Sequence, residues 1–198
     1  MLKVKSLIVF LLIFKLSAVA QSDSISTAGQ NRKWYAPDGI LVQYAGGTGL
    51  LSAGVVYHPG KKTEVDITVG YTPPAYGNIY TANLFTSYRL MHLKINKKLS
   101  LDPLNAGLFF NFNFAKNIYV IWPSRYPERY YWWNSSMRCG PFVNSEIKYI
   151  ADDDLNLRFF FQANTNDLYL LSYANNTGAI MLHQILVFGA GIKIGFEK

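Results

Sequence analysis

A strict alternation of side-chain character near the C-terminus constrains the fold of this chain more than any other feature. Between Leu182 and Phe196 nearly every even position is apolar, whereas the odd positions are mostly glycine or polar residues such as His183 and Lys193. A β-strand directs successive side chains to opposite faces, so this pattern predicts a strand with one apolar and one small or polar face. The predicted strand ends at Phe196, an aromatic residue.

The other end of the chain has the pattern of an export signal. Lys3 and Lys5 form a positive segment, residues 7–14 form an apolar segment, and residues 18–20 supply small side chains for cleavage. The apolar run is too short to span a bilayer, which needs about 20 apolar residues. We therefore predict a signal peptide over residues 1–20.

The composition suits a protein whose outer surface faces lipid. Half of the residues are hydrophobic and 16% are charged, whereas a soluble domain usually has about 25% charged residues. Removal of Lys3, Lys5 and Lys15 with the signal peptide lowers the formal charge from +7 to +4, so no nucleic-acid partner is expected. Cys139 is the only cysteine, which argues against a small secreted fold held together by disulfides.

Period-2 alternation recurs along the rest of the chain. The cleanest case is the third segment, in which Val65, Ile67 and Val69 alternate with polar residues. Eight such segments are predicted, at about residues 35–45, 49–58, 64–71, 80–90, 108–114, 137–150, 155–173 and 182–196. The seventh is expected to continue beyond residue 162 through Tyr169, Leu171 and Tyr173.

These segments predict an all-β fold, an eight-stranded antiparallel transmembrane β-barrel of the outer-membrane type. Single-chain bacterial barrels have an even number of strands, short periplasmic turns and longer external loops. The turns at 58–62, 96–98 and 152–154 would then be periplasmic, and the longer connections near 46, at 72–77, 115–136 and 175–178 external. The alternative is a soluble, secreted lipocalin-like ligand binder, in which the apolar faces would point inward.

The barrel prediction implies a location and a domain organisation. We expect a periplasmic segment over residues 21–34 and a barrel domain over 35–198 in the bacterial outer membrane. Phe196 would end the apolar face that the β-barrel assembly machinery reads, so it is the predicted assembly signal.

The polar strand faces are predicted to fill the barrel interior. An eight-stranded barrel is only just wide enough for side chains, and buried charges must be paired. We therefore expect a plug of neutralising charges and amides, with a conduit or a catalytic polar cluster as the sharper alternatives. The predicted interior residues are Asp66, Arg89, Asn111, Asn144, Glu146, Lys148, Arg158 and His183.

An aromatic and basic segment in the longest connection is the predicted binding site. Arginine recognises phosphate and carboxylate groups, and Tyr, Trp and Arg dominate binding hot spots. Expected partners are lipopolysaccharide and other outer-membrane lipid, or another outer-membrane protein; a purely structural aromatic girdle is the alternative. The residues are Trp122, Arg125, Tyr126, Arg129, Tyr130, Tyr131, Trp132 and Trp133.

The sequence gives catalysis little support. No two of His58, His92 and His183 lie at metal-ligand spacing, so no metal or other cofactor is expected. Outer-membrane lipid A deacylases of eight strands place His and Ser two residues apart, and no such pair occurs here. A constellation assembled across strands, such as His183 with Ser172 and Glu146, is the alternative; it would make the protein an acyl hydrolase of lipid A or phospholipid.

Three motifs resemble uncharacterised outer-membrane β-barrel proteins of Bacteroidota. They are Y-P-x-x-Y-Y-W-W from Tyr126, N-D-L-Y-L-x-S-Y from Asn166, and the closing G-x-G-I-K-I-G-F that ends at Phe196. The resemblance spans nearly all of the mature chain. It implies the barrel fold and the outer-membrane location, and it assigns no chemistry.

Overall fold

The structure, a computed structural model, describes residues 35–116, 118, 136–152 and 155–196. These residues form nine β-strands, one α-helix and two short 3-10 helices. The strands are β1 (Gly39–Ala45), β2 (Leu51–Tyr57), β3 (Thr63–Thr72), β4 (Ile79–Arg89), β5 (Leu93–Lys94), β6 (Leu99–Phe114), β7 (Met137–Asp152), β8 (Leu155–Asn164) and β9 (Val187–Phe196), and the helices are η1 (Pro74–Tyr76), α1 (Asp167–Asn175) and η2 (Leu182–Ile185).

Eight of the strands close into a single antiparallel barrel. Neighbouring strands pair in the order β4-β3-β2-β1-β9-β8-β7-β6, and β4 also pairs with β6, which completes the ring. The short strand β5 pairs with the start of β6 and extends the wall at that point. The predicted eight-stranded antiparallel barrel is therefore confirmed.

The connections divide between two ends of the barrel. The turn at 58–62, the β4–β6 connection at 90–98 and the β7–β8 turn lie where β1 begins and β9 ends; we call this the terminal end. The connections at 46–50, 73–78 and 165–186 lie at the opposite end, which we call the loop end; β6 ends and β7 begins there as well. The turns predicted to be periplasmic thus share one end of the barrel.

Two strand predictions near the C-terminus are wrong. Strand β8 ends at Asn164, and the residues predicted to prolong it, Tyr169, Leu171 and Tyr173, lie in helix α1. The Asn166 side chain accepts a hydrogen bond from the Tyr169 amide, which caps the first turn of the helix. The closing strand begins at Val187 rather than at residue 182, because η2 occupies the preceding residues.

Strand β6 is longer than predicted because a bulge interrupts its alternation. It begins at Leu99 rather than near Leu108, and its register with β7 shifts between Asp102 and Asn105. A bulge inserts an extra residue, so the inward and outward positions change parity on its two sides. The sequence of the first half of β6 therefore does not continue the pattern of the second half.

The strands give the barrel an apolar outside and a polar inside. On β3, for example, Ile67 and Val69 are 47% and 68% exposed, whereas Thr68 between them is 1% exposed. The interior holds charged side chains, amides and hydroxyls, with one apolar cluster of Phe85, Phe109 and Phe142. A lipocalin-like barrel requires the reverse distribution. In the described part of the chain no helix is long and apolar enough to cross a membrane.

Candidate functional site

Five charged side chains meet inside the barrel, in the half nearer the terminal end. We call Glu64, Asp66, Glu146, Arg158 and Lys193 the charge cluster. They come from strands β3, β7, β8 and β9, each from an inward position. The Lys193 ammonium contacts all three carboxylates, at 2.9 Å for Asp66 and 2.9 Å for Glu146 and at hydrogen-bond distance for Glu64.

The arginine of the charge cluster contacts two of these three carboxylates. Arg158 Nη1 donates to Glu64, and its distance to Glu146 Oε2 is 3.4 Å. Lys193 is 1% exposed and Glu146 4% exposed, a burial that ions tolerate only when they are paired. The cluster therefore fills the interior with mutually neutralising charges, as a narrow barrel requires.

His58 extends the charge cluster towards solvent. Its Nε2 atom lies 3.0 Å from Glu64 Oε2, and its backbone N–H donates to Asp38 at 2.7 Å. Asp38 precedes β1, whereas His58 follows β2, so the contact holds the terminal ends of these two strands together. The described side chains beyond it line a cavity of about 390 Å³ that includes Arg89, Asp102 and Lys148.

The loop-end half of the interior contains a backbone segment together with polar side chains. The β1–β2 connection, residues 46–50, folds into the barrel; we call it the tucked loop. Its carbonyl oxygens accept hydrogen bonds from three strands: Gly46 from Asn164 at 2.7 Å, Gly47 from Asn111 at 3.0 Å and Thr48 from Thr81 at 2.5 Å.

Glycines make the inward position of the tucked loop possible. Gly46 and Gly47 have φ angles of 77° and 76°, in the left-handed region that glycine adopts without a steric cost. Opposite the loop, a Cβ atom on Gly70 would lie 1.8 Å from the Thr48 carbonyl oxygen. The missing side chain at residue 70 thus provides the space that the loop occupies.

Most of the residues predicted for the interior lie there. Asn111, Asn144, Glu146 and Arg158 are at most 7% exposed. Asp66 belongs to the charge cluster. Arg89 and Lys148 line the cavities at the terminal end, where Arg89 donates to the Lys61 carbonyl at 2.5 Å and lies 3.5 Å from Asp102.

His183 is the exception, and its prediction is wrong. It lies in η2 at the loop end and is exposed, because the chain enters β9 five residues later than the alternation indicated. Ser172 lies in α1, whereas Glu146 is held by Lys193 and Arg158 in the charge cluster. The structure therefore does not assemble the hydrolytic trio that the sequence left open.

The predicted external binding residues lie outside the described part of the chain. This applies to Trp122, Arg125, Tyr126, Arg129, Tyr130, Tyr131, Trp132 and Trp133. The described loop-end element that follows them is α1, which the Asp167 side chain holds against the start of β7. One Asp167 oxygen accepts from the Cys139 amide at 3.3 Å and the other lies 3.9 Å from Arg138.

Helix α1 presents an apolar surface. None of its residues is buried, and Leu168, Tyr169, Leu170 and Leu171 are each between 38% and 43% exposed. In the sequence these residues alternate like a continuation of β8, so the apolar surface of α1 was not predicted. The pair Asn166–Asp167 was the available signal, because Asn and Asp favour the first positions of a helix.

Metal-binding geometry does not arise among the described residues. No group of three or more His, Cys, Asp and Glu side chains there is arranged to hold an ion. The three carboxylates of the charge cluster are instead occupied by Lys193 and Arg158.

Comparisons with known proteins do not identify a function for this chain. No protein-family model and no curated protein matches it. Among solved structures it is similar to one described as "De novo design of transmembrane beta-barrels", with 12% sequence identity and a TM-score of 0.36. The match covers 81% of this chain and 98% of the designed one. So distant a likeness leaves the function to be inferred from the barrel itself.

Proposed function

We propose that this chain is a plugged transmembrane β-barrel of the bacterial outer membrane that acts without catalysis, by presenting its loop end to a partner. One observation carries the membrane part of the proposal: large apolar side chains cover the outside, while charged ones are buried inside. A monomer in water rarely exposes a continuous apolar patch above a few hundred Å². A lipid environment removes that cost.

Strand length and aromatic placement support insertion. Strands β3, β4, β8 and β9 have 10, 11, 10 and 10 residues, and a tilted membrane-spanning strand needs about 9–11. Tyrosines lie near both ends of the wall, where aromatic girdles meet the membrane interfaces. At the loop end Tyr71 and Tyr80 pack at 4.9 Å between ring centroids, and at the terminal end Tyr88 and Tyr149 are exposed.

The filled interior supports a scaffold rather than a conduit. The tucked loop takes the loop-end half, and the charge cluster takes the other. What such a barrel offers to other molecules is its surface, above all the exposed apolar residues of α1 and the aromatic segment 120–133 that precedes β7 in the sequence. Lipopolysaccharide or another outer-membrane protein is the proposed partner, and the β-barrel assembly machinery would insert the chain.

A flotation experiment tests insertion. We expect the refolded chain to float with phosphatidylcholine vesicles in a density gradient and to migrate faster on a gel when it is not boiled. Its far-UV spectrum should be dominated by strand. A protein that stays soluble and monomeric without detergent or lipid would contradict the membrane proposal.

Cysteine labelling tests which end faces outward. In a Cys139→Ser background, Ala174→Cys places a thiol on α1 and Lys97→Cys places one at the terminal end; both positions are exposed. A membrane-impermeant maleimide added to whole cells should label the first thiol and leave the second unlabelled. Labelling of residue 97 alone would reverse the proposed orientation.

A further inference from the structure

We propose that the β4–β6 connection, residues 90–98, binds an anionic phospholipid, with the lipid phosphate on its inner face and the acyl chains on its outer face. The inference rests on the proposed membrane insertion. It concerns the terminal end of the barrel, away from the loop end where the partner surface lies.

A row of cations runs across the inner wall to this connection. Register pairs Lys193 with Arg158, Arg158 with Lys148, Lys148 with Ser100 and Ser100 with Lys94. Directly paired residues lie side by side on one face of a sheet, so all five face inward. Because barrel strands tilt, such a row climbs along the axis; it leads from the charge cluster to the rim.

The two ends of the row differ in how their charge is balanced. Carboxylates of the charge cluster surround Lys193 and Arg158. At the rim no described residue forms an ion pair or side-chain hydrogen bond with Lys94, Lys97 or Lys98. Lys94, at the rim end of the row, and Lys97 and Lys98 beside it therefore keep positive charge that no described side chain compensates.

These rim lysines line a cleft. Arg89, His92, Lys94, Lys97, Lys98 and Lys148 surround a cavity of about 220 Å³. Asp102 is the one carboxylate lining it among the described residues, and it is engaged by His92 at 2.5 Å and by Arg89 at 3.5 Å. Because Lys94, Lys97 and Lys98 have no counter-ion among the described residues, a cavity of this size is complementary to a phosphate group.

The backbone that carries the lysines is fixed in place. Asn96 Oδ1 accepts hydrogen bonds from the Lys98 and Leu99 amides, at 2.8 Å and 2.7 Å. The Ile150 amide donates to the Lys98 carbonyl at 2.8 Å, which ties the turn to β7. The ammonium groups therefore project from an ordered turn, and a bound phosphate would not have to order the backbone.

The opposite face of the same connection is apolar. Leu93 pairs with Leu101 and Leu101 with Ile147, which is on the outside of the barrel. Leu93 and Ile95 are 50% and 58% exposed, and Leu90 and Met91 beside them are similarly exposed. This face continues the lipid-facing wall beyond the ring of eight strands.

An anionic phospholipid fits both faces at once. In the described structure β5 pairs only with β6, so its other edge is open between the apolar face and the cationic cleft. A lipid whose chains lie against Leu93 and Ile95 can place its phosphate around this edge, beside Lys94. Free phosphate would use the cleft alone and leave the apolar face without a ligand.

Native mass spectrometry of the full chain in nonionic detergent tests the proposal. We expect phosphatidylglycerol to be retained in preference to phosphatidylcholine with the same acyl chains. The triple variant Lys94→Gln, Lys97→Gln, Lys98→Gln should bind phosphatidylglycerol about a hundredfold more weakly. This follows because each lysine near an anionic lipid surface raises the affinity about fivefold. The matched control Lys61→Gln, Lys62→Gln, Lys116→Gln removes the same charge from elsewhere and should retain the preference.

A second variant separates the lipid from free phosphate. Leu93→Ser with Ile95→Ser should weaken phosphatidylglycerol retention, and millimolar inorganic phosphate should not displace the lipid from the natural chain. Displacement by phosphate together with normal retention by the serine variant would show a phosphate site and overturn the lipid proposal. Equal retention of the two lipids by the natural chain, or full retention by the lysine triple variant, would overturn it as well.

Flotation with phosphatidylcholine vesicles accompanies every variant. Failure of the natural chain to float would contradict the proposed function. Flotation without a preference for phosphatidylglycerol would leave the membrane barrel standing and refute only the lipid site.

Discussion

Lys193 shows how much one side chain can contribute to the interior of a narrow barrel. It is 1% exposed and contacts three carboxylates from two other strands. Its ammonium also lies 4.9 Å from the centre of the Phe160 ring. Arg158 also bridges β3 and β7, but it contacts only Glu64 and Glu146, so removal of the Lys193 charge leaves the buried carboxylates under-compensated and Asp66 without its cation.

We predict that Lys193→Met destabilises the folded barrel by about 3–5 kcal/mol, the usual effect of removing one partner from a buried ion pair. Urea unfolding in detergent micelles, followed by circular dichroism, measures the free energy. The control Lys61→Met removes an exposed lysine at the terminal end and should change it by less than about 1 kcal/mol.

A double variant checks the cause. Adding Glu146→Gln to Lys193→Met removes a carboxylate together with its partner, so the double variant should be more stable than the sum of the two single effects. Strict additivity would mean that the two side chains do not interact, contrary to their 2.9 Å separation.

At the residue scale the sequence predicted which side chains face inward but not which ones meet. Alternation places Glu64, Glu146, Arg158 and Lys193 on the polar faces of their strands because the side-chain period of a strand is 2. Their contacts depend on register between strands that are distant in sequence; Lys193 and Glu64 are 129 residues apart. Lys148 likewise comes close to Lys94 only through the pairing of the short strand β5 with β6 and of β6 with β7.

Among the elements, the tucked loop determines what the loop-end half of the barrel contains. We predict that Gly70→Ala displaces it, because the added Cβ would lie 1.8 Å from the Thr48 carbonyl oxygen. The loss in stability should be about 3 kcal/mol, at the upper end for overpacking of an interior. Hydrogen exchange should rise at the amides of residues 46–50 while the strands stay protected.

Gly178 supplies the matched control for this substitution. A Cβ there would have no atom within 4 Å, so Gly178→Ala should change stability by no more than about 0.5 kcal/mol. Unchanged exchange in the tucked loop of the Gly70→Ala protein would show that the loop does not depend on the space at residue 70.

The bounds of an element were predicted well where strict period-2 alternation was the only pattern in its sequence. Strands β3 and β4 alternate without interruption and match their predicted bounds within two residues at either end. The residues of α1 were wrongly predicted as a strand because Tyr169, Leu171 and Tyr173 also alternate with a period of 2. The contact that favours the helix is the cap formed by the Asn166 side chain. The inward position of the tucked loop could not be predicted. Its only sequence signal is the Gly46–Gly47 pair, and a Gly-Gly pair is equally common in an ordinary turn.

At the scale of the whole molecule, the last strand has two roles: it closes the barrel, and its end is the proposed signal for assembly in cells. β9 pairs with β8 and β1 along its length, and Phe196 adds the pairing with Leu155 and a 2.8 Å hydrogen bond from its amide to the Asp38 carbonyl. Most of the closing contacts therefore lie before Phe196.

We predict that deletion of residues 196–198 leaves the barrel able to refold in detergent but prevents its assembly in cells. The remaining register still closes the ring, whereas the terminal aromatic residue is the proposed assembly signal. Heat-modifiable migration after refolding measures the first property, and surface protein levels measure the second. Phe188→Ala, which removes an outward-facing phenylalanine from the same strand, should assemble normally; normal surface levels of the truncated chain would refute the signal.

The tucked loop has a consequence for the order in which the molecule folds. Its three carbonyl contacts join Thr48 to Thr81, Gly47 to Asn111 and Gly46 to Asn164, over sequence separations of 33, 64 and 118 residues. Contacts at such separations form late, because the intervening chain must first be brought together. Each of β4, β6 and β8 adds one contact as it joins the sheet. The first hairpin that the chain can make is therefore the last to become rigid.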